Sequence, residues 1–259
     1  MAKKTVLAVC AHPDDIEFMM AGTLLQLGKA GYDLHIMNVA NGCCGSMTLN
    51  AEETAKVRLV EARDAAKIMG ATHHPPLVND LEVMYTPEMI QPIAAVVREV
   101  NPDIVLTHPL ADYMEDHTIT ARLTVSAAFV RAMPNYSSQP ERAPVNKAMT
   151  LYHALPYGLC DGLRNKAVAH QYVDITDVLD TKKAALAAHT SQREWLDQTQ
   201  GLGSYVETMV EMSKTVGAWS GTFDYAEGWC RHSHLGFSEE HADPLADALS
   251  DRHTLNTAL

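Results

Sequence analysis

Three side chains able to bind a metal or accept a proton leave the chain within four residues at His12-Pro13-Asp14-Asp15. A second group, His108, Asp112, Asp116 and His117, follows another apolar run much further along. Two imidazoles and one carboxylate with an open position hold Zn²⁺ while leaving room for water, and Fe(II) accepts the same set. His12, Asp15 and His117 are the candidate ligands. A bound dication brings the pKa of water down to about 7, and an adjacent carboxylate can take up the remaining proton. Asp14 and Asp15 can divide these tasks because neighbouring side chains at a turn need not face the same way. The competing reading of the first cluster is a helix cap, with Asp14 or Asp15 satisfying free backbone N–H groups.

The elements that must position these groups follow from periodicity. Thr5 to Ala11 is a continuous apolar run that predicts a strand buried on both faces, and Leu34 to Val39 predicts a second. Between them Ile16, Met19, Met20, Leu24 and Leu27 recur at helical spacing, which makes Thr5–Val39 a β-α-β unit with a right-handed crossover. Asn50 with Glu53 three residues on predicts a capped helix ending at Gly70. Further helices are predicted from Pro87 to about Glu99, from about Thr118 to Ala132, between Thr176 and His189, and from Arg193 to Gly217. Strands are predicted at Ile104–Thr107, Met149–His153 and Gln171–Asp174. This alternation specifies an α/β, Rossmann-like, doubly wound and mainly parallel sheet with helices on both faces, in one domain of 259 residues whose tail from about 243 is expected to be loose. Ligands of such sheets bind beyond the carboxyl ends of the strands, where both His/Asp clusters fall.

The stretches Ala11-His12-Pro13-Asp14-Asp15-Ile16-Glu17, Arg58-Leu59-Val60-Glu61-Ala62 and Asp116-His117 resemble the LmbE-like, PIG-L deacetylase family, with weaker echoes at Asn41-Gly42 with Gly45, Asp174-Ile175-Thr176, His189-Thr190-Ser191-Gln192 and Tyr225-Ala226-Glu227. The resemblance spans roughly Thr5 to Trp229. It implies a zinc-dependent de-N-acetylase of N-acetylglucosamine conjugates, with His12, Asp15 and His117 on the metal and Asp14 as general base. It also implies an amino-sugar substrate as the partner and self-association as a trimer or hexamer. Where many relatives read His-Pro-Asp-His, this chain reads Met114-Glu115-Asp116-His117, and Met114 cannot donate a proton. His189, His108 and Tyr113 are candidates for the missing role of assisting the oxyanion, His189 first because of its family-like surroundings.

Other residues carry open readings. Asp116 either orients an imidazole of the metal site or caps the following helix. Arg58 either contacts substrate or pairs with Glu61 on the helix surface, and Asp80 either touches a sugar or shapes a turn. Gly42 and Gly45 suggest backbone close to the pocket, the His73-His74 pair is expected to be exposed, and His232 with His234 reads as a polar loop.

Composition excludes several alternatives. The net charge of −12, without a long basic run, argues against nucleic acid or an anionic membrane as the main partner. No apolar stretch approaches the roughly 18 residues of a membrane span, and five cysteines without a CxxC pair point to a reducing, cytoplasmic setting rather than a disulfide framework. Two rivals remain. A metal hydrolase of a different amide, ester or carbamoyl bond would use the same ligands. A non-enzymatic nucleotide-binding module is disfavoured because the first strand leads into HPDDIE rather than G-x-G-x-x-G.

Overall fold

The computed structural model describes residues 3–192 and 205–258. Its centre is β1 (Thr5–Cys10), flanked in parallel by β2 (Asp33–Asn38) and β4 (Ile104–Thr107). Alternation along β1 serves two cores. Val6, Ala8 and Cys10 pack with Ile16, Met20, Leu24 and Leu27 on one face, while Leu7 and Val9 pack with Ile93, Ala94, Val97 and Leu123 on the other. Burial of each Leu or Val is worth about 1.5–3 kcal/mol, so a one-residue slip of β1 would forfeit both cores.

The sheet has eight strands in the order β3-β2-β1-β4-β5-β7-β6-β8, with β3 at Ala71–His74, β5 at Thr150–Ala154, β6 at Gln171–Asp174, β7 at Ala226–Arg231 and β8 at His253–Leu255. The first five are parallel. Strand β7 runs antiparallel between β5 and β6, and β8 pairs antiparallel with β6, so the parallel half is extended by an antiparallel one. Three strands escape sequence reading. β3 is only Ala-Thr-His-His, β7 mixes Glu, Gly and Arg into its apolar positions, and β8 is three residues long. The His73-His74 pair therefore lies in a half-buried strand, and His74 Nε2 meets His35 Nδ1 at 3.1 Å.

The crossover helix after β1 is broken into α1 (Asp15–Met19) and α2 (Ala21–Lys29) at Met20, whose backbone is not helical. Glu227 of β7 explains the restart: its two carboxylate oxygens accept the Gly22 and Thr23 N–H groups at 2.9 and 2.8 Å, placing negative charge at the positive end of α2. Lys182, itself buried in α6 (Leu179–Ala187), neutralises Glu227 at 2.5 Å. Helix α3 (Ala51–Met69) has the expected Asn50/Glu53 capping box and ends on left-handed Gly70. Helices α4 (Pro87–Val100) and α5 (Glu115–Phe129) cover the opposite face. Of the helix predicted from Arg193 to Gly217, residues 193–204 lie outside the described residues, and α7 occupies Tyr205–Ser220.

The tail is not loose. It forms α8 (Pro244–Leu249) and β8 because Leu245 and Leu249 are buried in the β1 core. Among the described residues no helix is long and apolar enough to cross a membrane.

Candidate metal centre

β1 and β4 are neighbours, so the turns leaving them deliver both clusters to one crevice. Ligand atoms of His12, Asp15 and His117 all lie within 4.8 Å of one another. The His12 backbone N–H donates to Asp15 Oδ2 at 2.7 Å, which folds the carboxylate back over the end of β1. His12 Nδ1 then stands 3.4 Å from Asp15 Oδ2, and His117 Nε2 stands 3.4 Å from Oδ1.

The outer nitrogen of each ring is held by a carboxylate. His12 Nε2 meets Asp116 Oδ2 at 3.0 Å, and His117 Nδ1 meets Asp112 Oδ1 at 3.2 Å. A carboxylate behind each imidazole fixes its orientation and raises its basicity, which is what a metal-bound histidine requires. A second combination, His108, Asp112 and His117, also lies within ligand reach. There His108 Nε2 already accepts the Ala11 N–H at 2.9 Å and also stands 3.2 Å from Asp15 Oδ2, so all three rings turn a nitrogen toward Asp15 and only that of His108 is shared with a backbone N–H.

The electrostatics suit a dication. Burial opposes charge on His12, but hydrogen bonds to Asp116 and Asp15 overcome it and carry its pKa up to about 10. Burial likewise opposes charge on His117, and Asp15 with Asp112 raises it. Asp15 is driven the other way: burial favours its neutral form, yet His117 and His108 hold it well below the usual carboxylate range. The site thus gathers protons on rings crowded by carboxylates, and a cation that displaced them would satisfy the same charges. The residues present fit a divalent metal.

Asp14 differs from its neighbour in every respect. Its backbone is left-handed, at φ 99°, and its side chain does not cap α1, so the capping reading fails for it. Its carboxylate is buried, and Oδ2 lacks a well-formed hydrogen bond, facing Arg58 Nη2 at 3.3 Å. Burial pushes its pKa up, with Arg58 opposing and Asp15 reinforcing, and the Tyr205 hydroxyl bonds to it. Two adjacent carboxylates whose affinities for protons are pushed apart have separate roles open to them.

Asp116 is not a helix cap. It sits inside the first turn of α5, where Oδ2 accepts the Leu81 N–H at 2.8 Å besides meeting His12. Arg58 is 1% exposed and does not pair with Glu61. Its guanidinium donates to the Pro13 carbonyl and to Gln192 Oε1, while Glu61 accepts from the Ser191 N–H and hydroxyl. Gly42 is at φ +75°, and a Cβ there would stand 2.9 Å from Arg58 Nε, so this loop must be bare where the arginine passes under it. Asp80 shapes that loop, accepting the Gly42 and Cys44 N–H groups at 2.7 and 2.8 Å, and it also borders the cavity.

The crevice encloses a cavity of about 340 Å³ walled by His12, Asp15 and His117 together with Asp14 and Arg58. Met114, His108 and Tyr113 border it. His189 does not: it is fully buried behind Asp14, 3.5 Å from Glu17, so it stands in another layer from the one that touches a ligand. Sequence reading passed over Tyr205, Tyr157 and Gln192 as cavity residues. Of these only Gln192 carried a signal, through the His189-Thr190-Ser191-Gln192 stretch.

Fold and site together define an α/β protein with a two-histidine, one-carboxylate centre at the strand ends. Residues 7–128 match the model of the GlcNAc-PI de-N-acetylase (PIG-L) family, and over this stretch the chain is similar to its LmbE-like members. It is 29% identical over 196 residues to a diacetylchitobiose deacetylase of Thermococcus kodakarensis, covering 73% of this chain and 70% of that one. It is 25% identical over 237 residues to a 4-oxalmesaconate hydratase of Pseudomonas putida, covering 87% and 88%. Among solved structures, the 4-carboxy-2-hydroxymuconate hydratase GalB of Pseudomonas putida superposes with a TM-score of 0.74 at 22% identity, covering 88% of this chain and 95% of that one, a likeness of fold.

Proposed function

We propose that this protein is a metal-dependent N-deacetylase that removes the acetyl group from an N-acetylglucosamine-type conjugate. The observation that carries the reading is the split between Asp14 and Asp15: one carboxylate aligned with two buttressed imidazoles, the other buried with one oxygen left without a hydrogen bond and raised in pKa. A divalent cation held by His12, Asp15 and His117 would polarise the amide carbonyl and acidify water. Asp14 accepts the proton of the attacking water and returns it to the departing amine, so acetate and a free amine leave. Arg58 keeps Asp14 in place and, when Asp14 is ionised, balances its charge. Of the candidates for the role that Met114 cannot fill, Tyr113 and His108 border the cavity. His108 accepts a backbone N–H through Nε2, which also stands 3.2 Å from Asp15 Oδ2, so that nitrogen is committed within the ligand set. Tyr113 therefore is the better donor to a developing oxyanion. Zinc suits the ligand set best, with Fe(II) as the alternative. The five free thiols suit a reducing, cytoplasmic setting.

The hydratase relative gives a second reading, addition of water across a carbon–carbon double bond of a carboxylate-bearing substrate. The cavity wall disfavours it. Arg58 is the one Lys or Arg among the described lining residues, and its guanidinium is committed to Asp14, Pro13 and Gln192. A polycarboxylate therefore finds no uncommitted Lys or Arg on this wall, whereas a neutral, hydroxyl-rich ligand needs none. The test is acetate release from a panel of N-acetylated amino sugars and their conjugates, run beside hydration of unsaturated carboxylates followed by loss of ultraviolet absorbance. Stoichiometric acetate and amine support the proposal. Turnover of the unsaturated acids alone would replace it with the second reading.

A further inference from the structure

The loop between β2 and α3 carries adjacent cysteines that the reaction does not use. Cys43 is buried and Cys44 lies on the cavity wall, with their Sγ atoms 3.9 Å apart. The ligand atoms of Cys43, Cys44 and Asp80 all fall within 4.8 Å of one another. Two thiolates about 2.3 Å from one tetrahedral cation stand about 3.8 Å apart, so the pair already has the bite of a chelate. A disulfide fits poorly: its Cα atoms are usually about 4.4–6.8 Å apart, whereas neighbours across a trans peptide are held near 3.8 Å.

The loop is also fixed in advance. Asp80 accepts the Gly42 and Cys44 N–H groups, Asn41 Oδ1 accepts the Cys43 N–H at 3.1 Å, and Asn41 Nδ2 donates to Asn79 at 2.8 Å. Each Asp80 oxygen keeps a lone pair beyond the one its N–H partner takes. A ligand set ordered beforehand loses little entropy on binding.

We propose that Cys43, Cys44 and Asp80 form a second cation site, selective for soft divalent ions such as Cd²⁺ or surplus Zn²⁺, and that filling it closes the substrate cavity. Thiolates select soft ions, whereas the imidazole and carboxylate set beside them serves harder ones. The exchange balances without redox: one dication displaces the two thiol protons and forms two metal–sulfur bonds, releasing two protons. Burial, with Cys43 and Asp80 nearby, pushes the Cys44 thiol up to about 11, so binding strengthens as pH rises. Because Cys44 and Asp80 share the wall of the cavity of about 340 Å³ with His12, an ion between them narrows the entry to Asp14.

The binding half of this proposal stands apart from the reaction assigned above, and the closing half rests on it. Full-length protein is titrated with Cd²⁺ while thiolate-to-metal charge-transfer absorption, proton release and acetate release are followed. Cys44→Ser, exposed enough to leave folding intact, and Cys43→Ser/Cys44→Ser should lose the absorption band, while Asp15→Asn should keep it. A band that persists in the double variant, and so arises from Cys10, Cys160 or Cys230, or that vanishes in Asp15→Asn, overturns the site. Inhibition by Cd²⁺ should disappear in Cys44→Ser; equal inhibition of both proteins overturns closure. If the wild type releases no acetate from any substrate, the deacetylase reading fails while the absorption band still judges the site.

Discussion

Replacing Asp14 by Asn separates chemistry from scaffolding. Asn tolerates left-handed backbone better than other substitutes, so the turn at φ 99° survives. It keeps an oxygen for the Tyr205 hydroxyl but cannot take a proton from water. Positioned general-base catalysis is worth about 10²–10⁴ in rate, so kcat should fall by that factor, or about 2.7–5.4 kcal/mol in the barrier, with KM little changed. Two structural effects run beside it. Arg58 loses its ionic partner, and removing one member of a buried pair costs about 3–5 kcal/mol at worst. That cost is reduced here because Arg58 also donates to Pro13 and Gln192 and because Asn is smaller in charge but not in shape. One oxygen of the removed carboxylate was itself buried without a good hydrogen bond, which offsets part of the remainder. The expected net change is about 1–2 kcal/mol, a Tm lower by roughly 2–8 °C in a chain of this size. Metal content should stay at the wild-type value, since His12, Asp15 and His117 are untouched. Steady-state acetate release, elemental analysis and a thermal melt on one preparation decide the matter. A kcat within tenfold of wild type refutes Asp14 as base, and loss of the metal refutes its separation from Asp15.

Asp116→Asn should weaken metal binding about 10–100-fold by freeing His12 Nε2, measured by competition with a chromophoric chelator; unchanged affinity would return Asp116 to a purely local role. Glu227→Ala leaves Lys182 buried without its partner and strips the start of α2, and urea unfolding should register a loss of about 3–5 kcal/mol, whereas a loss under 1 kcal/mol would show that solvent enters and rescues the lysine. Burial holds His153 down to about 4, against the hydrogen bond to the His108 carbonyl, while the unfolded chain titrates near 6.5. Between those values only the unfolded state takes up the proton, so this contribution is complete above about pH 6.5 and is lost by about 3 kcal/mol as pH falls toward 4. Urea unfolding across that range should show a shallower decline in His153→Gln, and parallel curves would remove His153 as the cause.

The parts of the fold that came through in the sequence are those with local causes. The apolar run of β1 and the Asn50/Glu53 capping box are written in neighbouring residues, and both appear where expected. β3 and β7 were invisible because their pairing energy comes from partners distant in sequence, not from an apolar pattern of their own. The looseness expected beyond residue 243 failed for a related reason: Leu245 and Leu249 look sparse in a polar tail, but the core they complete belongs to α2 and β1. At the site, residue types and spacing named His12, Asp15 and His117. Nothing in the spacing could tell that Asp116 faces His12 rather than its own helix end, that Arg58 turns inward away from Glu61, or that His189 stops one layer short of the cavity.

By itself the sequence determined which chemistry was on offer: strand-end histidines and carboxylates, an acidic surface and an α/β alternation, all properties of residue type and short-range order. Only the tertiary structure decided how that chemistry is apportioned. Adjacent Asp14 and Asp15 differ because one is folded back over β1 toward two imidazoles and the other is sealed against Arg58. Proton affinity depends on the charges and the loss of water around a group, and those are set by residues brought from β4, α3, α5 and α7, which the linear order keeps far apart.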